Sequence, residues 1–148
     1  MARSTEHAAL ICAVLTIITA AGAAAAIYWK QPLAIIFAAL PAAAYELYRT
    51  EGFTTRLASA GVLAVLAAEI VLIVGKIELN VARFVGSYVG SMPVVDAKLA
   101  GPVIIALLAV MLVRRTAGIY TKWLAIVLLG AAVALFYVLD PALISKFV

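Results

Sequence analysis

Residues 57–76 read LASAGVLAVLAAEIVLIVGK, and this run decides the fold class. Twenty helical residues rise about 30 Å, the thickness of a bilayer's hydrocarbon core. Inside the run, a few residues past its middle, sits a carboxylate, Glu69. A charged side chain at the centre of a membrane helix costs roughly 2.5–3.5 kcal/mol on insertion scales. Glu69 is therefore expected to face protein rather than lipid. On a helical wheel it shares its face with Val62, Val65, Leu66, Leu72, Ile73 and Lys76, while the opposite face is small: Ala60, Ala64, Ala67, Ala68 and Gly75. Small faces let membrane helices approach closely, so Ala60, Ala64 and Ala68 are the expected helix-packing residues. One face is shaped for a neighbour and the other holds a group that needs one. This helix is expected to be central, within the protomer or within an oligomer.

The rest of the composition agrees with a membrane. Of 148 residues, 68% are hydrophobic and 12% charged, with a mean hydropathy of +1.20. Soluble domains average about 45–50% apolar and 25% charged residues. The expectation is one all-α, polytopic membrane domain over residues 1–148, leaving no room for a soluble domain. The net charge of +4 is scattered over loops, which argues against a nucleic-acid partner. Cys12 is the only cysteine and His7 the only histidine. An intramolecular disulfide, a multi-cysteine metal site and histidine-based triads within one subunit are thereby excluded.

Five spans are predicted, at about 8–28, 32–49, 57–76, 97–114 and 122–139. The first apolar run is too long for a signal-peptide core of about 7–15 residues. Tyr28 and Trp29 mark its interfacial end. The tight Trp29-Lys30-Gln31-Pro32 turn makes the first two helices an antiparallel hairpin, with Pro32 at the first position of the second. Ala34, Ala38 and Ala42 recur every fourth residue for close packing. Pro41, inside that helix, predicts a kink and deprives the Phe37 carbonyl of its helical donor. Gly52 suits a left-handed helix stop, and Thr54 or Thr55 can cap the next helix. Glu46, Arg49, Glu51 and Arg56 put four charges on this corner, either an ordinary solvated loop or a docking surface for a partner or headgroups. Between 77 and 90, apolar residues at helical spacing alternate with Glu78, Asn80, Arg83 and Ser87, predicting a helix in the membrane interface. A re-entrant loop is the alternative there. Asp96 can cap the fourth helix, whose start otherwise falls at Gly101-Pro102. Thr121 can cap the fifth, and Asp140-Pro141 ends it.

With the N-terminus inside, six basic residues fall on the inner side and five on the outer. That excess places the N-terminus in the cytoplasm of what reads as a prokaryotic cell membrane. Glu69 lies at about the depth of Phe37 and of Thr19, and no basic residue shares that depth in any span. Glu69 is therefore expected to be neutral at pH 7 and to donate to the Phe37 carbonyl, with Thr19 and Thr16 as further polar partners. The bland reading of both threonines is a hydroxyl bonded back to its own helix.

Nucleotide, zinc-hydrolase and serine-hydrolase signatures are absent, and no catalytic, cofactor-binding or metal-binding set emerges. The chain is not expected to be an enzyme or to carry a cofactor. Small faces, short loops and few buried polar groups favour a structural or accessory subunit, in a homo-oligomer or a larger membrane complex. The alternative is a small oligomeric transporter or channel in which Glu69 couples protons or cations. The sequence names no substrate.

Overall fold

The computed structural model describes residues 6–76 and 97–144. These form α1 (Ala8–Trp29), α2 (Pro32–Arg49), α3 (Phe53–Val74), α4 (Ala97–Arg115), α5 (Ile119–Leu139) and a single turn, α6 (Pro141–Ile144). No strand occurs among the described residues. The expected interfacial helix at 77–90 and the Asp96 cap lie outside them.

Helix ends follow backbone chemistry more than side-chain caps. Pro32 occupies the first turn of α2, where its missing N–H costs nothing. Lys30, at φ 53°, takes the left-handed stop of α1. Gly52 is left-handed too, at φ 102°, but it opens α3 rather than closing α2, which ends at the extended Thr50. Thr55 does not cap α3, because its hydroxyl donates to the Glu51 and Gly52 carbonyls from inside the first turn. Thr121 likewise donates to the Gly118 carbonyl, so α5 begins at Ile119, three residues before the expected 122. α4 starts early, at Ala97, and carries Pro102 inside it. At the end of α5, Asp140 Oδ1 accepts the Ala142 N–H and seats the short α6.

Each long helix packs on the next, α1 on α2 through to α5, and α5 returns to α1. α2 and α5 also meet across the middle of this ring. The central helices are therefore α2 and α5. Among the described helices α3 lies at the edge, with α2 and α4 as its substantial neighbours, so of the two placements expected for it the one at the centre of the protomer is not seen. The reason lies in the alanines. Those at the crowded centre are Ala39, Ala42 and Ala43 of α2 and Ala125 and Ala132 of α5, all buried, filling between Ile35, Ile36, Leu124, Leu128 and Leu135. The spacing of Ala34 and Ala38 works as expected, receiving Gly22 of α1 so closely that a Cβ there would overlap that of Ala38. Lipid tails are as apolar as leucine, so these contacts hold by van der Waals fit rather than by escape from water.

Among the described residues three helices, α1, α3 and α5, are long and apolar enough to cross a bilayer, fewer than the five spans expected. α2 has only 18 residues and includes Glu46, Arg49 and two prolines, while α4 carries Lys98, Arg114 and Arg115. Outward-facing side chains repeat the message. Leu10, Ile17, Phe37, Val71, Leu107 and Val133, drawn from all five long helices, are each more than half exposed. Soluble monomers rarely carry so extensive an apolar surface. The protein is a membrane-embedded helical bundle.

Candidate functional site

Among the described residues two carboxylates are buried, Glu46 and Glu69, at opposite ends of the bundle. Glu69 lies on the inward face of α3 with Val62 and Leu66, at 1% exposure. Because α3 starts at Phe53, four residues before the expected 57, and ends at Val74, two before the expected 76, Glu69 is five residues from its end rather than near its middle. Its neighbour is α4, where the Gly101 backbone hydrogen-bonds the carboxylate and Lys98 acts on it electrostatically. A Cβ at position 101 would overlap the carboxylate, so only glycine admits this approach. The next residue, Pro102, has no N–H to give the Lys98 carbonyl, which locally loosens the backbone beside the acid. Glu69 Oε2 is buried with no hydrogen-bond partner among the described residues.

Of the partners expected of Glu69, Thr16 and Thr19 are used elsewhere. Its hydrogen bond goes to Gly101 and not to the Phe37 carbonyl. Thr19 donates to the Leu15 carbonyl at 2.8 Å and to the Ala38 carbonyl of α2 at 3.3 Å. It thus serves the backbone next to the gap that Pro41 opens. Thr16 donates to the Cys12 carbonyl at 2.6 Å and accepts the Trp123 indole N–H at 2.9 Å. Both threonines are bonded back to their own helix, and each also makes a bond to a second helix that the sequence does not signal.

The second carboxylate is Glu46. It departs from the exposed corner expected of Glu46, Arg49, Glu51 and Arg56. Glu51 and Arg56 are exposed and Arg49 is half-buried, but Glu46 is fully buried. Helical period explains this. Ile35, Ala39, Ala42 and Ala43 precede Glu46 by eleven, seven, four and three residues, so the buried stripe of α2 runs straight into the acid. That spacing was the available signal, masked by the charges crowding the loop beyond. Thr50 Oγ1 donates to the Glu46 carbonyl at 2.6 Å, lies 3.5 Å from Glu46 Oε1, and meets Ser59 Oγ of α3 at 3.2 Å. Glu46 Oε2 has no hydrogen-bond partner among the described residues. The Arg49 guanidinium, between the rings of Tyr45 and Tyr120 at 5.9 and 5.7 Å, is the cation acting on it.

Ser59, beside Glu46, and Glu69 are ten residues apart on α3, about 15 Å along its axis. Between the two ends the described core is apolar except for Thr19, whose hydroxyl is spent on backbone carbonyls. A cavity of about 10 Å³ there is lined wholly by Ile, Leu and Ala side chains, among them Ile36, Leu66, Ile105 and Leu128. It offers no polar group to hold a water. The outward face of α3 keeps Ala64, Ala67 and Ala68 exposed and Ala60 half-buried. Among the described residues, no group of three or more His, Cys, Asp or Glu could hold a metal ion.

Together these features define a membrane-embedded helical bundle with, among the described residues, one buried acid near each end. No family model matches the chain, and no curated protein or solved structure matches it.

Proposed function

We propose that all five long helices span the bilayer and that the protein is a non-catalytic structural or accessory subunit. It assembles with further copies of itself or with other membrane subunits in a prokaryotic cell membrane, N-terminus inside. Short connections support the five spans. α1 joins α2 through Lys30-Gln31, α2 joins α3 through 50–52, and α4 joins α5 through 116–118. A helix tied so tightly to a spanning neighbour returns through the same slab. Arg49 of α2 and Lys98, Arg114 and Arg115 of α4 sit towards the helix ends, where long side chains snorkel to water. The observation that carries the assembly reading is the outward small face of α3, on a helix with two neighbours where α2 and α5 have three. Backbones meet across such faces without loss of contact. The test is the mass of the detergent-solubilised protein by light scattering. A homo-oligomer or co-purifying subunits support the reading, and a lone protomer at all concentrations rejects it.

The transport reading, with Glu69 coupling protons or cations, is favoured by one observation. Glu69 Oε2 is buried and has no hydrogen-bond partner among the described residues, and intramembrane acids mark ion pathways by default. The apolar middle of the protomer weighs against a path through a single copy. Proton flux into liposomes bearing the wild type, absent with Glu69→Gln, would establish transport over the structural role.

A further inference from the structure

At the end of the bundle that holds Glu46, two recesses adjoin. One is a mixed polar and apolar cavity of about 270 Å³, lined by Arg49, Arg115, Glu51, Thr50, Thr116 and Thr121, the three threonines giving their hydroxyl protons to backbone carbonyls. Two guanidinium groups there outnumber one carboxylate. Its wall at Gly118 and Thr121 is the first turn of α5, whose backbone N–H groups have no helical acceptor and favour an anion. The other is an open apolar groove of about 490 Å³ between α1 and α5, walled by Ala9, Ala13, Ile17, Ile119, Tyr120 and Trp123. The Trp123 indole N–H is already spent on Thr16, so the ring offers the groove an apolar surface. Tyr120 joins the two recesses, since it lines the groove while its ring receives Arg49, which lines the cavity.

A soluble phosphate would fill only the cavity, and a neutral apolar molecule only the groove. We infer that the paired recesses bind one anionic phospholipid, its phosphate headgroup held by Arg49 and Arg115 and an acyl chain laid along the α1–α5 groove. Charge complementarity and the amphipathic division of the site both select this occupant. Basic pockets between membrane helices take anionic headgroups in this way. The inference needs the membrane placement but not the assembly of copies, so either can fail alone.

Native mass spectrometry of the full-length protein in detergent tests it, with added dioleoyl phosphatidylglycerol or dioleoyl phosphatidylcholine. Protomers and oligomers give separate peaks, so lipid adducts are read independently of assembly. The phosphatidylglycerol adduct should exceed the phosphatidylcholine adduct by about fivefold for each arginine that contacts it. Arg115→Gln should lower that excess, whereas Arg114→Gln, an exposed neighbour outside the cavity, should not. Arg115 is itself exposed, so the fold should survive its loss. Ala13→Trp should fill the groove and reduce adducts of both lipids. Equal retention of the two lipids, equal losses from the Arg114 and Arg115 variants, or undiminished binding to Ala13→Trp would each overturn the site. So would displacement of the lipid by an equal concentration of glycerol phosphate, which has no chain for the groove.

Discussion

Gly101 of α4 leaves the space that the Glu69 carboxylate of α3 occupies, because a Cβ at position 101 would overlap the carboxylate and its Cγ. Two effects compete when that glycine is replaced. Alanine is the better helix former by about 1 kcal/mol. Overpacking a filled site costs about 1–3 kcal/mol, and Glu69 is buried, so it has little freedom to withdraw. Overpacking should win. Gly101→Ala should lower the thermal stability of the detergent-solubilised protein, and in the Glu69→Ala background the same change should cost much less. Additive effects of the two substitutions would show that the contact is not energetically coupled.

Glu69→Gln probes the charge while keeping the shape. The amide oxygen can still accept from the Gly101 backbone, so stability and assembly should change by less than about 1.5 kcal/mol. If this variant fails to assemble, the carboxylate is ionised and paired with a cation, and Lys98 is the candidate on α4. Under the transport reading the variant assembles normally, yet pH-dependent flux disappears.

Much of this architecture is legible in the residues themselves. Helix existence follows from long apolar runs, and Pro32 and Asp140 stand where local chemistry puts them, while the alanine spacing of α2 marks a close-packing face without naming Gly22 as what meets it. What the pattern could not supply was the order of neighbours. A wheel identifies the small face of α3 but cannot say whether α2, α4 or another molecule meets it. The partner of Glu69 is equally non-local. Counting depth along the helices pointed to Phe37, because Pro41 visibly frees a carbonyl there, whereas Gly101 carries no sign of the carboxylate packed on it. Glu46 differs for another reason: its proximity in sequence to an exposed loop hides its place on a buried stripe.

Ala64→Leu separates assembly from folding. Ala64 is exposed on the protomer, so the added bulk meets no intramolecular neighbour, and the effect on protomer stability should stay within about 0.5 kcal/mol. If copies or subunits meet on this face, the same bulk pushes their backbones apart and the solubilised mass falls to that of a protomer. Ala132→Leu provides the contrast. Ala132 is 2% exposed in the core, so its enlargement should destabilise the protomer by about 1–3 kcal/mol whatever the assembly state. An Ala64→Leu protein as oligomeric as the wild type would mean that α3 turns this face to lipid.

Glu46 tests what a fully buried acid contributes at the other end of the bundle. Thr50 has one hydroxyl proton and gives it to the Glu46 carbonyl at 2.6 Å, so Ser59 is the donor in their 3.2 Å contact. Ser59→Ala then removes one hydrogen bond and should cost about 0.5–1.5 kcal/mol. Thr50→Val strands the buried Ser59 hydroxyl and should cost more, about 1–3 kcal/mol. The side chain of Glu46 itself has only the 3.5 Å approach of Thr50 and the electrostatic influence of Arg49, and Oε2 has no hydrogen-bond partner among the described residues. Replacing poorly satisfied buried polar groups by apolar ones of similar volume is often neutral or stabilising. Glu46→Leu should therefore leave thermal stability unchanged or raise it, and any function that needs the acid would be lost without unfolding. A loss of about 3–5 kcal/mol, typical of breaking a buried ion pair, would instead reveal an ionised Glu46 bound to Arg49, with the guanidinium drawn from between Tyr45 and Tyr120.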